Sequence, residues 1–167
     1  LTLPLVQADA TQIRQIVMNL ITNASEAIGD REGTIRMSTG QHVWSSADVG
    51  MHILGGELRE SQAYAYVRVS DNGSGMDSAT LHRIFDPFFT TRRHAGCTGL
   101  GLHIVYSVVT DRLGGSLRLT SEPGKGTTFK IYLPAAGQEP DASVRPDAKV
   151  SPRGTETILL VEDEEAV

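Results

Sequence analysis

DATQIRQIVMNLITNASEAIG, residues 9–29, is the stretch from which the architecture can be read. Ile13, Ile16, Val17, Leu20, Ile21, Ala24, Ala27 and Ile28 recur at three- and four-residue intervals, one apolar stripe of an amphipathic helix. Asp9 stands where a capping acceptor is needed, and Gly29 where the chain must leave the helix. Asn19 and Asn23 are four residues apart and share a face beside the stripe. Asparagine is a poor residue for a helix interior because its amide competes for backbone partners. Two readings of the pair stay open: amides that bond neighbouring backbone, or hard neutral oxygens suited to a Mg²⁺ shared with phosphates.

Downstream, residues 34–43 alternate through Ile35, Met37, Thr39 and Gln41 as a strand does, and 63–70 form a second strand rich in Tyr and Val. Between them, residues 44–60 carry three glycines and no clear period, and read as an insertion or hairpin loop. Residues 102–113 are a second apolar-faced helix closed by Gly114-Gly115. Residues 116–121 and 127–133 are two strands around the turn PGKG at 123–126. Helix, strand, strand, helix, strand, strand predicts an antiparallel or mixed sheet with helices on one face.

Three loops between these elements carry the chemistry. Asp71-Asn72-Gly73-Ser74-Gly75-Met76-Asp77 follows a strand. Its glycines let backbone turn tightly, and a strand-end carboxylate accepts a hydrogen bond from an exocyclic amine such as that of adenine. Thr98-Gly99-Leu100-Gly101-Leu102 opens the second helix, where free N–H groups and the helix dipole favour an anion. Between the two, IFDPFFTTRRHAG at 84–96 holds three of the four phenylalanines and then turns cationic and small, the make-up of a hinged lid. Each loop alone also has an ordinary reading, as a turn, a glycine-rich connection, or core phenylalanines with surface arginines.

Bulk composition excludes several classes. With 167 residues, 40% hydrophobic, 21% charged and a formal net charge of −5, the chain has the make-up of a globular domain. Its single cysteine, Cys97, cannot close an internal disulfide, and no apolar run approaches the roughly 20 residues of a membrane helix. No lysine or arginine block points to nucleic acid. The histidines and Cys97 lack metal-ligand spacing. GKGT at 124–127 is not a phosphate loop, because Leu119 stands where its first glycine is required and Gly126 follows the lysine.

Taken in order, MNLITNASEAI (18–28), DNGSGMD (71–77), IFDPFFTT (84–91), TGLGLHIV (98–105) and GKGTTF (124–129) resemble the asparagine, glycine and phenylalanine boxes of the catalytic ATP-binding domain of bacterial sensor histidine kinases. The resemblance covers about residues 6–133. It implies an α/β two-layer sandwich of Bergerat type, a mixed sheet with three helices on one face. It further implies that Asn23 is the Mg²⁺ ligand, that Asn19 faces the phosphates, and that Asp71 reads the adenine amino group in a pocket shaped by Gly73 and Gly75. Phe85 and Phe88 resemble the lid anchor, and Thr98, Gly99, Leu100 and Gly101 the flexible phosphate-contacting loop. Arg92 stands at the family's cationic position for the γ-phosphate, whereas Cys97 replaces a usual glycine and 44–60 is longer than the family needs.

The resulting expectation is a domain at 1–133 that binds Mg-ATP and supplies the γ-phosphoryl for a histidine on a dimerisation domain of the same protein, none of whose phosphoacceptor motif occurs in this sequence. Residues 134–156, with four of the seven prolines, are expected to be a linker. TILLVEDEEAV at 157–167 resembles the first strand and acidic pair, Glu162 and Asp163, of a receiver domain, which implies a hybrid kinase. ATP, Mg²⁺ and a receiver or response regulator are thus the expected ligands and partners, with no nucleic acid or membrane contact from this part. The resemblance and the need for ATP also imply a cytoplasmic location. Two alternatives remain: an ATP-hydrolysing switch like the gyrase and mismatch-repair relatives, disfavoured because Asn19 stands at their general-base glutamate, and a nucleotide-free scaffold.

Overall fold

The stripe at 9–29 forms α1, Ala10–Ile28. The Asp9 carboxylate accepts a hydrogen bond from the Thr11 N–H at 2.6 Å, and Gly29 ends the helix at φ 65°. The computed structural model describes residues 3–45, 53–56, 58–91 and 98–136. Ile16, Leu20 and Ala24 are the buried residues of α1, and Leu20, 1% exposed, contributes about 1.5–3 kcal/mol by leaving water.

Five strands follow: β1 (Ile35–Val43), β2 (Ile53–Gly55), β3 (Ala63–Asp71), β4 (Ser116–Glu122) and β5 (Gly126–Pro134). They form one sheet in the order β1-β3-β5-β4-β2. Every pairing among these strands is antiparallel, which corrects the expected mixed sheet. The reason lies in the tight β4–β5 hairpin. Strands β3 and β4 do run in the same direction, as a helical crossover requires, but β5 folds back into the gap between them and pairs with both.

Strand alternation sorts the sheet into two faces. Val69, Phe129 and Leu119 form one cross-strand row, and Val67, Ile131 and Leu117 the next. Both rows meet Ile16 and Leu20 of α1 and Val105, Val108 and Val109 of the second helical region in a single core. The opposite face carries Tyr64, Tyr66 and Tyr132, and there Trp44 and Arg59, from the two ends of the expected 44–60 loop, and Gln62 make contact. Trp44 stacks edge-on to Tyr132 with centroids 6.0 Å apart, the Arg59 N–H donates to the Tyr64 hydroxyl, and that hydroxyl donates to Gln62 Oε1. Tyr64 and Tyr132 are buried as a result. The expected insertion therefore includes β2, which crosses to the far edge and pairs with β4, and Ser116 secures it by donating to the Gly56 carbonyl at 2.6 Å.

Beyond β3, the expected helix at 102–113 is present at 101–112 but irregular, and a further single turn precedes it. α2 is a single turn, Ser78–Leu81, capped by Asp77, after which Ile84 enters the core. α3, Gly101–Ser107, passes into a π-helical turn at Val108–Arg112. Thr110 donates back to the Tyr106 carbonyl, and Leu113 N–H reaches the Val108 carbonyl five residues behind. Two valines and a threonine in succession are poor helix formers, and a back-bonding threonine loosens the regular ladder. Residues 137–167, with the linker and receiver expectations, lie outside the described residues.

Candidate functional site

A cavity of about 620 Å³ opens between α1, the loop after β3, the residues around Phe89 and the start of α3. Asn19, Asn23, Asp71, Gly75, Thr98, Gly99 and Gly101, separated by up to 82 residues in the chain, all line it.

The carboxylate end is fixed by backbone donors. Asp71 closes β3, and its Oδ1 accepts from the Gly73 N–H at 2.8 Å and from the Thr127 N–H at 3.3 Å. That leaves Oδ2 as the oxygen available to a ligand. Gly73 itself does not line the cavity; it holds Asp71 and presses against the end of α1, where Ser74 N–H donates to the Ala27 carbonyl. Gly75 adopts φ 64°, and a Cβ there would run into the Glu122 carbonyl, so only glycine lets this loop lie against the β4–β5 turn.

The asparagines bond to backbone, as the first of the two readings of their spacing has it. Asn23 Nδ2 donates to the Asn19 carbonyl at 2.7 Å, and Asn19 Nδ2 donates to the Gly101 carbonyl at 3.3 Å, tying α1 to the first turn of α3. Each amide nitrogen thus gives one of its two N–H groups to backbone, and both side chains line the cavity, where an amide oxygen can accept. Two neutral oxygens fit a cation whose remaining ligands come from phosphate and water. Among the described residues, no three His, Cys, Asp or Glu side chains group into a metal cage.

The phenylalanines divide differently from the expectation. Phe85 packs on Tyr106 with centroids 5.2 Å apart, Phe88 is 74% exposed at φ 64°, and neither lines the cavity. Phe89 does line it, with the Arg83 guanidinium 4.4 Å over its ring. Leu100 also lies outside the lining, as the residue preceding α3. Gly99, φ 66°, accepts the close approach of the Phe88–Phe89 backbone, where a Cβ would collide. Arg92 and Cys97 fall outside the described residues.

Sequence reading missed Thr22, Glu26, Met76, Thr80, Thr127 and Phe129, which also line the cavity. Glu26 was within reach, because it lies three residues after Asn23 on the same helix face, and Thr22 four residues before Glu26. Thr127 and Phe129 come from β5, and only the sheet order brings them there.

Comparisons with known proteins place the chain among ATPase relatives. A family model described as histidine kinase-, DNA gyrase B-, and HSP90-like ATPase matches residues 8–137. Sensor kinase CckA of Brucella abortus (strain 2308) is 38% identical over 170 residues, 97% of this chain and 17% of that protein. Sensor histidine kinase ZraS of Escherichia coli (strain K12) is 35% identical over 133 residues, 80% of this chain and 24% of its own length. The chain thus spans about a sixth to a quarter of these relatives. Among solved structures, the catalytic domain of histidine kinase ThkA superposes with a TM-score of 0.57 at 28% identity, covering 78% of this chain and 70% of that one. Full-length ShkA in complex with AMPPNP gives 0.56 at 25% identity, over 80% and 24%. With residues 8–137 matched by the family model, the chain belongs to the histidine kinase-, DNA gyrase B- and HSP90-like ATPase family.

Proposed function

We propose that this chain binds Mg-ATP in the cavity and is the catalytic domain of a sensor histidine kinase in two-component signalling, delivering the γ-phosphoryl to a histidine on a dimerisation domain. The observation that carries the reading is the convergence of an Asp71 carboxylate, two amide oxygens and the Gly99–Gly101 segment on one wall system. Asp71 Oδ2 accepts the adenine amine. Asn23 Oδ1 holds Mg²⁺, which neutralises phosphate charge, while Asn19 Oδ1 lies toward the phosphates. Thr98, Gly99 and Gly101 offer backbone and hydroxyl donors to the phosphate chain, with Leu100 preceding the helix and Arg92 as the γ-phosphate contact. The described lining contains no lysine or arginine, so metal and lid must supply the positive charge. Phosphoryl transfer depends on this positioning and charge neutralisation rather than on a covalent enzyme group.

Two observations bear on the alternatives. Asn19 occupies the base position of the hydrolytic relatives, and its amide is engaged with the Gly101 carbonyl and takes no proton from water. The cavity is formed, which a nucleotide-free scaffold does not require. Residues 134–156 are read as a linker and 157–167 as the start of a receiver domain, with Glu162 and Asp163 its acidic pair. The CckA similarity supports treating them as part of the same lineage, since 97% coverage extends it into this tail. No helix among the described residues is long and apolar enough to cross a membrane; the reading places the domain in the cytoplasm, where ATP is available.

Incubating the chain with ATP, Mg²⁺ and a separately produced histidine-bearing dimerisation domain from a sensor kinase relative tests the proposal. Acid-labile phosphohistidine on the added domain, and none on the chain alone, is expected. Stable phosphohistidine on the chain by itself, or none on any such domain despite ATP binding, contradicts it.

A further inference from the structure

Behind the carboxylate end of the cavity lies a hydroxyl that is itself outside the lining but is hydrogen-bonded to two residues within it. Ser121 on β4 stands outside the lining, and three groups meet its Oγ: the Met76 N–H at 2.9 Å, the Gly126 carbonyl at 3.1 Å and the Thr127 hydroxyl at 2.9 Å. A serine hydroxyl has one proton and two lone pairs. The carbonyl can only accept, so it takes the proton; the Met76 N–H takes one lone pair. Satisfying all three contacts then leaves one arrangement for Thr127: its hydroxyl donates to Ser121.

That arrangement fixes what Thr127 shows to a ligand. Thr127 is buried, lines the cavity, and donates its N–H to Asp71 Oδ1. With its hydroxyl proton turned toward Ser121, Thr127 has only lone pairs left on its oxygen to offer a ligand, and its N–H keeps it next to the Asp71 carboxylate, so the two side chains together offer this end of the cavity acceptors. An amine, or a water held by the base, matches such an edge; a carbonyl at the same place meets lone pair against lone pair. Buried polar mismatches of this kind discriminate strongly because the unpaired group has no water to turn to.

We infer that Ser121 is a positioning residue for base choice: by holding the Thr127 proton away from the cavity, it sets the preference for a 6-amino over a 6-oxo purine nucleotide. The inference rests on the reading of the cavity as a purine-nucleotide site. The test compares ATP with ITP, which carries a carbonyl in place of the amine, by calorimetry on the 167-residue chain. S121A frees the Thr127 proton to turn toward a base carbonyl, and the ITP-to-ATP ratio of Kd values falls about fivefold, the worth of one neutral hydrogen bond. S121T, which keeps a hydroxyl, restores the ratio. In a T127V background, S121A changes the ratio by less than about twofold, as expected if it acts through Thr127. Should S121A fail to fold, S121C carries the same expectation, since a thiol is a weak donor and acceptor. An unchanged ratio, or equal weakening of both nucleotides, overturns the inference while leaving the ATP site standing. Wild-type chain that binds neither nucleotide overturns both.

Discussion

Gly75 and Gly101 both sit in glycine loops at the cavity, yet they are held to glycine by different degrees. Gly75 has φ 64° and no room for a Cβ against the Glu122 carbonyl, whereas the nearest atoms to a Cβ at Gly101 are the Asn19 and Asn23 amide groups at 3.7 Å, ordinary contact. Urea unfolding should therefore show Gly75→Ala losing about 2 kcal/mol or more, and Gly101→Ala shifting stability by less than about 1 kcal/mol. Equal effects would mean that the close packing of the 71–77 loop on the β4–β5 turn is wrong. Asn23 makes a different demand. If its amide oxygen holds the metal, Asn23→Ala removes most of the gain in ATP affinity that Mg²⁺ confers on wild type, while affinity without metal changes by less than about threefold, since only one neutral, half-buried amide is lost. A full Mg²⁺ dependence in the variant would move the metal elsewhere. At this scale the sequence was informative for Asn19, Asn23, Asp71 and Gly99, whose types and spacing are unusual for helix or strand. It was silent on Thr127 and Phe89, because a threonine in a strand and a phenylalanine in a cluster of three look the same whether they face core or cavity.

Helix α1 and the strands β1, β3, β4 and β5 could be read within a residue or two, because each has a continuous period and a marked end. β2 could not: three residues carry no period, and its pairing with β4 follows from the chain crossing the sheet, a tertiary event. The π-helical turn was likewise hidden, since its apolar spacing imitates a continuing α-helix. Helix ends also govern how the elements respond to acid. The Thr11 N–H holds the Asp9 carboxyl below its ordinary value, the Thr80 side chain and N–H do so for Asp77, and the Thr110 and Ser107 hydroxyls for Asp111. A carboxyl lowered in the folded state binds its proton later than in the unfolded chain as pH falls. Its contribution is complete above about pH 4 and is lost as pH drops through the lowered folded value. Denaturant unfolding across acidic pH should therefore fall off below about pH 4, and Asp77→Asn should flatten that fall without changing its sign. A slope that steepens in the variant would show that the cap does not favour the ionised form.

At the scale of the whole molecule, an antiparallel sheet carries helices on one face and, on the other, a tyrosine cluster contacted by Trp44, Arg59 and Gln62. The cavity lies at one end of the helical layer, where α1, α3 and the loop after β3 converge. The β4–β5 hairpin connects the two functions: by inserting β5 it makes the sheet antiparallel, and by supplying Thr127 it holds the Asp71 carboxylate. The order of the motifs along the chain made the fold class legible, but the sheet order that brings β5 to the cavity was not, because pairing across the sheet leaves no local pattern. The claim on which the account turns is that Asp71 receives the base of ATP. Calorimetric titration of wild type and Asp71→Asn with Mg-ATP measures it directly, and the substitution keeps an acceptor for the Gly73 and Thr127 N–H groups while replacing the oxygen that faces the ligand. Wild type should bind and the variant should be at least about tenfold weaker with its melting temperature little changed, in line with loss of one charge-assisted hydrogen bond. Equal affinity of the two proteins would contradict the placement of the base at Asp71.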